Sequence, residues 1–263
     1  MVETVQFLNN PMKIQRLQKN ELSLLFKYAL LEGWDVEEAH IVALYKTYPD
    51  DFFIAYKGKT LLGFIVAIKH GSDFGFISSF LVLQEFRSLG FGKKIFNFAL
   101  QHLNNFQIAL DSVVDKTKFY EDFGFKCYFD LSTYCFEMGS VTLPSSSIET
   151  VEIDETILLL INDNYLNNII NDSKINAKAI KTIDKISSYA FTFAYKDGYK
   201  IHIESNDINE AITLFFRLTD EFDKGTRVYL QASKLSPLLL ALVQTLKMSE
   251  VSKFIRMYNK ILD

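Results

Sequence analysis

The spacing of apolar and polar residues predicts alternating helices and strands. Apolar residues recur at helical intervals over 21–31, and again after Asp35 as far as Tyr48. After Pro49 the pattern changes to strand-like runs, with strands expected over 52–56 and 61–69 around the turn at 57–59. The other elements expected in this half are a strand over 74–83, a helix over 93–103, a strand over 107–112, a short helix over 116–123, and one long or two short strands over 126–138.

The segment 139–150 contains Pro144 and three consecutive serines, which is typical of a linker. We therefore predict a domain over 1–140, a linker over 141–150 and a smaller domain over 151–263. The second domain has a similar mixed pattern. Its predicted elements are a helical segment over 153–171, strands over 189–195 and 200–204, a helix over 207–222, a strand over 227–231, a helix over 237–247 and a strand over 253–258.

One short internal similarity links the two halves. Residues 52–57 (FFIAYK) resemble residues 191–196 (FTFAYK). An ancient duplication would explain the similarity, and so would the composition that β-strands share. Both explanations stay open at this point.

Composition narrows the class of protein. Apolar residues make up 49% of the 263 residues and charged residues 23%, as in globular domains. The formal net charge is 28 − 32 = −4, which argues against broad binding to nucleic acid. Two cysteines and no export-like segment indicate a reducing, cytoplasmic compartment. The four histidines have no metal-ligand spacing, and no apolar run reaches about 18 residues, so we expect neither a metal nor a membrane span.

A glycine-containing turn between a strand and a helix carries the candidate chemistry. The turn comprises residues 87–92 (RSLGFG) and is followed by Lys93 and Lys94. The first N–H groups of a helix lack partners and its dipole is positive there, so such a turn favours anions. Gly90 and Gly92 allow a phosphate to approach the backbone closely. A diphosphate fits this arrangement, although a plain turn with exposed cations would have the same residues. Rossmann and Walker A signatures are absent.

The surrounding sequence resembles the GCN5-related N-acetyltransferase (GNAT) superfamily. Residues 82–92 (VLQEFRSLGFG) are similar to its V-x-P-E-x-R-x-x-G-x-G motif, with Gln84 in place of proline. Residues 119–125 (FYEDFGF) resemble its Y-x-x-x-G-F element, and the order of elements over 13–138 resembles its fold. Residues 32–34 (EGW) and 110–113 (LDSV) resemble a branch in which a second, degenerate acetyltransferase-like domain follows.

This resemblance implies an α/β (α+β) fold with a mixed, mostly antiparallel sheet flanked by helices. It also implies an acyltransferase that uses acetyl-coenzyme A as cosubstrate, without a metal, and transfers acetyl directly to a primary amine. The implied donor-binding residues are Leu81, Val82 and Leu83 along the pantetheine arm, with Arg87, Ser88, Leu89, Gly90, Phe91, Gly92 and Lys93 around the diphosphate. The C-terminal half lacks R-x-x-G-x-G, so we expect it to bind no second donor in the usual way.

Two catalytic roles follow from this resemblance. Tyr120 would lie near the thioester sulfur and protonate the leaving thiolate. An amine with a pKa of about 10.4 is neutral in only about one molecule in 2,500 at pH 7, so a general base is expected. Glu32 is the first candidate, because it lies in the implied substrate loop beside Trp34; Asp35 and Asp111 are the others. Trp34 and Asp111 are also predicted to contact the acceptor.

Other functions remain open on the sequence. The runner-up is a non-catalytic acyl-coenzyme A-binding or protein-interaction module, and a third reading is transfer of a longer acyl group. The expected partners are acetyl-coenzyme A and an amine acceptor, which could be a small molecule, a peptide or a protein. The sequence does not identify the acceptor or the oligomeric state.

Overall fold

A computed structural model describes residues 10–139, 148–171, 175–181 and 185–260. The elements before residue 140 are β1 (Met12–Arg16), α1 (Leu22–Leu31), α2 (Glu38–Thr47), β2 (Phe52–Lys57), β3 (Thr60–His70), β4 (Phe74–Val82), α3 (Phe91–His102), β5 (Gln107–Ser112), α4 (Thr117–Glu121) and β6 (Lys126–Glu137). Those after residue 150 are β7 (Val151–Glu152), α5 (Glu155–Ile161), α6 (Asn164–Ile170), β8 (Asn176–Lys181), β9 (Ile186–Tyr195), β10 (Gly198–Glu204), α7 (Ile208–Thr219), β11 (Arg227–Ser233), α8 (Pro237–Thr245) and β12 (Ser249–Tyr258).

The chain forms two compact units. The first consists of the described residues within Met1–Trp34, Tyr48–Tyr128 and Ile255–Asp263. The second consists of those within Asp35–Thr47 and Phe129–Phe254. Residues 140–147, which include most of the predicted linker, lie outside the described residues. The division of the sequence into 1–140 and 151–263 stays a prediction; the compact units take segments from both sides of it.

The first unit is a sheet in the order β1-β2-β3-β4-β5, completed by the end of β12. The pairs from β1 to β4 are antiparallel, β4 and β5 are parallel, and Ile255–Tyr258 of β12 runs antiparallel to β5. Helix α3 connects the parallel strands and packs against β3 and β4. Its buried stripe includes Ile95, Phe96 and Ala99, and Met257 of β12 is fully buried in the same cluster.

The second unit has a similar sheet. Here the order is β6-β11-β10-β9-β8-β7, in which only β10 and β11 are parallel. Alternate residues of β9 face different helices: Ala190 belongs to the cluster that α7 and α8 cover, whereas Phe191 belongs to the cluster of α2, α5 and α6. This sheet therefore has helices on both faces, which agrees with the unbroken run of buried residues at 190–193 of β9.

The predicted mixed, mostly antiparallel sheet flanked by helices is confirmed. Several boundaries shift by a few residues, and β1 and β8 were missed because short strands with Lys, Gln or Asn give a weak apolar pattern. The two halves repeat one order: strand, two helices, three strands, helix, strand, helix, strand. The predicted sequence similarity does not follow this repeat, since 52–57 form the first of the three strands and 191–195 the end of the second.

Candidate active site

The parallel strands β4 and β5 separate partway along their length. Their pairing covers Phe74–Ile77 and Gln107–Leu110 and then stops. The antiparallel pairing of β4 with β3 continues as far as Val82, across an irregularity where Ser79 adopts a positive φ of 46°. In the described part of the chain, the β5-facing edge of β4 therefore has no strand partner after Ile77. An extended ligand could pair with this open edge.

The backbone near Val82 shows which groups face the open edge. Leu83 donates its N–H to the carbonyl of Leu62 at 2.9 Å, so that group faces β3. Backbone groups alternate in direction along a strand, and the N–H and C=O of Val82 therefore face the opposite, open edge. Of the three residues predicted along the pantetheine arm, Val82 is the one whose backbone is directed there, whereas the Leu81 and Leu83 side chains are buried.

The glycine turn leads from this edge into α3. Ser88 and Gly90 have positive φ values of 62° and 81°, and Gly90 is the N-cap of α3 without a side-chain cap. The first backbone bond of the helix is donated by Lys94 to Gly90. Within the described residues, no carbonyl accepts the N–H groups of Gly92 or Lys93. A Cβ added at Gly90 would meet no atom within 4 Å, so the turn is open to a ligand.

Electrostatics reinforce the turn as an anion site. Residues 88–90 are exposed, and Lys93 and Lys94 extend from the first turn of α3 into solvent. Successive N–H groups in a turn with alternating backbone handedness form a concave anion-binding surface. The dipole of the 12-residue helix adds partial positive charge at the same point. The predicted diphosphate-binding residues thus lie together at one helix start.

Arg87 is held on both sides. Its Nε donates to the Val82 carbonyl oxygen at 2.9 Å, and its Nη2 lies 2.5 Å from Oε2 of Glu32. Glu32 caps the C-terminal end of α1. The carboxylate predicted as general base is therefore paired with a residue of the predicted donor turn. Whether it acts as a base stays a prediction.

Tyr120 lies within an aromatic cluster beside β4. Its ring centroid is 5.4 Å from that of Phe96 and 5.2 Å from that of Phe119, and Phe119 in turn lies 5.7 Å from Phe80 on the open part of β4. Burial raises the pKa of the Tyr120 hydroxyl to about 12. Tyr120 therefore keeps its proton at neutral pH and can act as a hydrogen-bond donor.

The structure gives Asp111 a structural partner and leaves Trp34 at the surface. Both carboxylate oxygens of Asp111 accept from Arg256, at 2.5 Å from Nε and 3.0 Å from Nη2, across the β5–β12 pairing. Arg256 also lies over the Phe76 ring at 5.0 Å. Trp34 is 40% exposed after the turn that ends α1. Contact of either residue with an acceptor stays a prediction.

Sequence reasoning missed two residues that shape this site. Ser79 provides the positive-φ irregularity of β4, and Arg256 holds β5 where it leaves β4. Ser79 lies in a long apolar run, whose interruption by two serines was the available signal. Arg256 is 145 residues from Asp111, so no local pattern could connect them.

The equivalent turn in the second unit is already filled by the chain itself. The pairing of β10 with β11 also stops early, at Ile201 and Leu230. However, Asp207 caps α7 and accepts from the N–H groups of Asn209 at 2.7 Å and Glu210 at 3.1 Å. A carboxylate therefore occupies the place where a phosphate would bind. The absence of a second donor stays a prediction.

The described residues show neither a metal cluster nor a membrane span. No group of three His, Cys, Asp or Glu side chains among them is placed to hold a metal ion. No helix in the described segments has the length and apolar character needed to cross a bilayer. Cys127 is exposed and Cys135 half-buried, and neither forms a disulfide.

Comparison with known proteins agrees with this geometry. A family model described as the acetyltransferase (GNAT) family matches residues 17–125. A search of curated proteins found no match.

Solved structures share the fold across nearly the whole chain. A candidate acetyltransferase from Pyrococcus horikoshii is 14% identical over 94% of this chain and 88% of its own, with a TM-score of 0.72. A GCN5-related N-acetyltransferase from Anabaena variabilis is 11% identical over 94% and 72%, with a TM-score of 0.64. A tandem GNAT protein from the clavulanic acid biosynthesis pathway is 8% identical over 96% and 100%, with a TM-score of 0.67.

At these sequence identities the solved structures support the fold alone. The family model supports a sequence match over the N-terminal part of the chain. The chain has the GNAT fold, and its residues 17–125 match the model of the acetyltransferase (GNAT) family.

Proposed function

We propose that this chain is an acetyl-coenzyme A-dependent N-acetyltransferase that transfers acetyl directly to a primary amine. The observation that carries the proposal is the open edge of β4, which leads straight into an uncapped helix start. A coenzyme A ester combines an extended, amide-containing arm with a diphosphate. A strand edge followed by an anion-binding turn matches both parts in the same order.

The donor site is assigned as follows. The backbone of Val82 pairs with the arm along the open edge. The turn amides from Ser88 to Lys93 hold the diphosphate, with the Lys93 and Lys94 ammonium groups nearby. The donor supplies an acetyl thioester, whose carbonyl carbon is the electrophile. The partly buried aromatic cluster around Tyr120 limits the access of water beside the reacting atoms.

In the transfer, a C–N bond forms as the C–S bond breaks, and the sulfur takes the bonding pair. Tyr120 donates a hydrogen bond to that sulfur and so stabilises the developing thiolate. The attacking nitrogen must lose a proton to water or to a carboxylate. The three carboxylates predicted for this task are each paired with a cation: Glu32 with Arg87, Asp35 with Lys196, and Asp111 with Arg256. A proton taken up by any of them would weaken its ion pair.

Thermal melting with acetyl-coenzyme A tests the donor site. Ligand at about 100 times its Kd adds about 2.7 kcal/mol to the free energy of unfolding, so the melting temperature should rise. Gly90→Glu should abolish this rise, because it places a carboxylate at the diphosphate. Gly71→Glu is the matched control, since Gly71 has a similar φ of 63° and equally open space in the β3–β4 turn. An undiminished rise in Gly90→Glu would refute the donor site.

Thiol release distinguishes an enzyme from a binding module. Acetyl-coenzyme A is incubated with free amino acids, polyamines, aminoglycosides or peptides, and the liberated thiol is measured. Release with one class identifies the acceptor class. A melting shift without release for any amine would instead favour the non-catalytic acyl-coenzyme A-binding module.

A further inference from the structure

The Arg87 side chain occupies the point where the open strand edge meets the glycine turn. Its Nε donates a hydrogen bond to the Val82 carbonyl, which faces the open edge, and its Nη2 forms an ion pair with Glu32. These two contacts hold the rigid guanidinium group from two sides. Neither contact involves Nη1, whose two N–H donors remain for a ligand. Glu32 thus determines where the remaining donors of Arg87 lie.

Glu32 is itself held firmly by the end of α1. Its N–H donates to the Tyr28 carbonyl at 3.1 Å, and the next two residues close the helix with bonds from Gly33 to Leu30 and from Trp34 to Ala29, both at 3.0 Å. Gly33 has a φ of 73°, as in helix-ending turns that require glycine. The Glu32 side chain is 22% exposed, against 46% for Arg87. The carboxylate is the better-fixed partner of the pair.

The helix dipole makes this carboxylate unusual. Anionic side chains are unfavourable at the C-terminal end of a helix, where the carbonyls carry partial negative charge. Arg87 offsets that cost by pairing with Glu32. The same pairing opposes the role of general base, because a proton on the carboxylate would weaken the ion pair and release Arg87 from its place.

We infer that Glu32 is a positioning residue that acts through Arg87 at the donor site, and that it is not the general base. This inference rests on the proposed function, because it assigns a role within the same donor site. It predicts that changes at Glu32 affect donor binding more than the chemical step, and that they do so only while Arg87 is present.

The comparison of Glu32→Ala with Glu32→Gln isolates this role. Both variants remove the same negative charge, but glutamine keeps a side-chain oxygen that can accept a hydrogen bond from Arg87. The Kd for acetyl-coenzyme A, measured by calorimetry, should therefore be about fivefold weaker or more in Glu32→Ala than in Glu32→Gln. In Glu32→Gln, kcat at saturating donor should stay within about threefold of the native protein, and the pH profile should keep its acidic limb.

A double-variant measurement tests the path through Arg87. In an Arg87→Met background, the difference in Kd between Ala and Gln at position 32 should disappear, because the coupled partner is gone. Melting temperatures without ligand verify folding, and Glu32→Ser replaces Glu32→Ala if the latter fails to fold.

The inference is overturned by any of three results. The first is an equal Kd for acetyl-coenzyme A in the two Glu32 variants. The second is a difference in Kd between those variants that persists in the Arg87→Met background. The third is an equal loss of kcat in both variants, accompanied by loss of the acidic limb of the pH profile. The last result would identify Glu32 as the general base. Failure of the proposed function is seen separately, as the absence of acetyl-coenzyme A binding by the native protein.

Discussion

Replacing Tyr120 by phenylalanine tests the proposed chemistry with a small structural change. The hydroxyl has a pKa of about 12 because it is buried, whereas an ordinary thiol has one near 8.5. Complete proton transfer from this phenol to a thiolate would thus be uphill by roughly 5 kcal/mol, at about 1.36 kcal/mol per pKa unit. Tyr120 is therefore expected to act chiefly through a hydrogen bond to the developing thiolate, and its predicted role in protonating that thiolate stays a prediction.

The size of the effect follows from that role. A hydrogen bond to a charged group contributes about 1.5–3 kcal/mol. Its loss in the transition state alone lowers the rate roughly ten- to 150-fold. Stability should change little, because phenylalanine keeps the ring contacts with Phe96 and Phe119, and the described residues include no hydrogen-bond partner for the hydroxyl.

The assay is single-turnover acetyl transfer at saturating donor, with the acceptor identified by thiol release. Tyr199→Phe is the control, since Tyr199 is half-exposed and stacks on Phe222 in the second unit. The Tyr120→Phe variant should keep the donor-induced melting shift, and its single-turnover rate should be roughly ten- to 150-fold lower than that of the native protein. A rate within about twofold of the native protein would refute the argument, because even a neutral hydrogen bond contributes about that much.

Three further outcomes are expected. Met257→Ala should lower the free energy of unfolding, measured by urea titration, by about 2–5 kcal/mol, because Met257 is fully buried in the first unit. A loss below about 1 kcal/mol would contradict that packing. Asp207→Ala should cost about 0.5–2 kcal/mol through loss of the α7 cap, with calorimetry still showing one donor per chain; an unchanged stability would contradict the cap.

The third outcome concerns pH. Burial lowers the pKa of His40 below its usual 6.5, so the folded state binds this proton less readily than the unfolded state does. The free energy of unfolding should therefore fall as the pH drops below about 6.5. His40→Gln should flatten that fall in unfolding curves measured between pH 7.5 and 5, and an equal slope in the variant would contradict the assignment.

The sequence was sufficient for features that depend on local patterns. The turn over 87–92 could be located because glycines, a following helix pattern and a preceding strand lie together in sequence. The structure places the start of α3 at Phe91, two residues earlier than predicted, because Gly90 in the left-handed region ends the turn there. The aromatic run around Tyr120 was likewise visible as a motif.

Features that depend on distant residues were out of reach. The separation of β4 from β5 arises from an irregular register and from pairing with a strand more than 140 residues away. The partners of Glu32 and Asp111 are also distant in sequence, so their carboxylates looked equally available as bases. Periodicity reports which face of an element is buried, but not which side chains meet.

The pairing of Ile255–Tyr258 with β5 has a consequence for biosynthesis. These residues are translated after every strand of the second unit, yet they supply Met257 to the interior of the first. Domains usually fold as units, with the N-terminal one first during synthesis. Here the segment with the glycine turn leaves the ribosome early, but the sheet of the first unit is complete only after Ile255–Tyr258 have been synthesised. A nascent chain halted before Ile255 would expose the edge of β5 and be prone to aggregation.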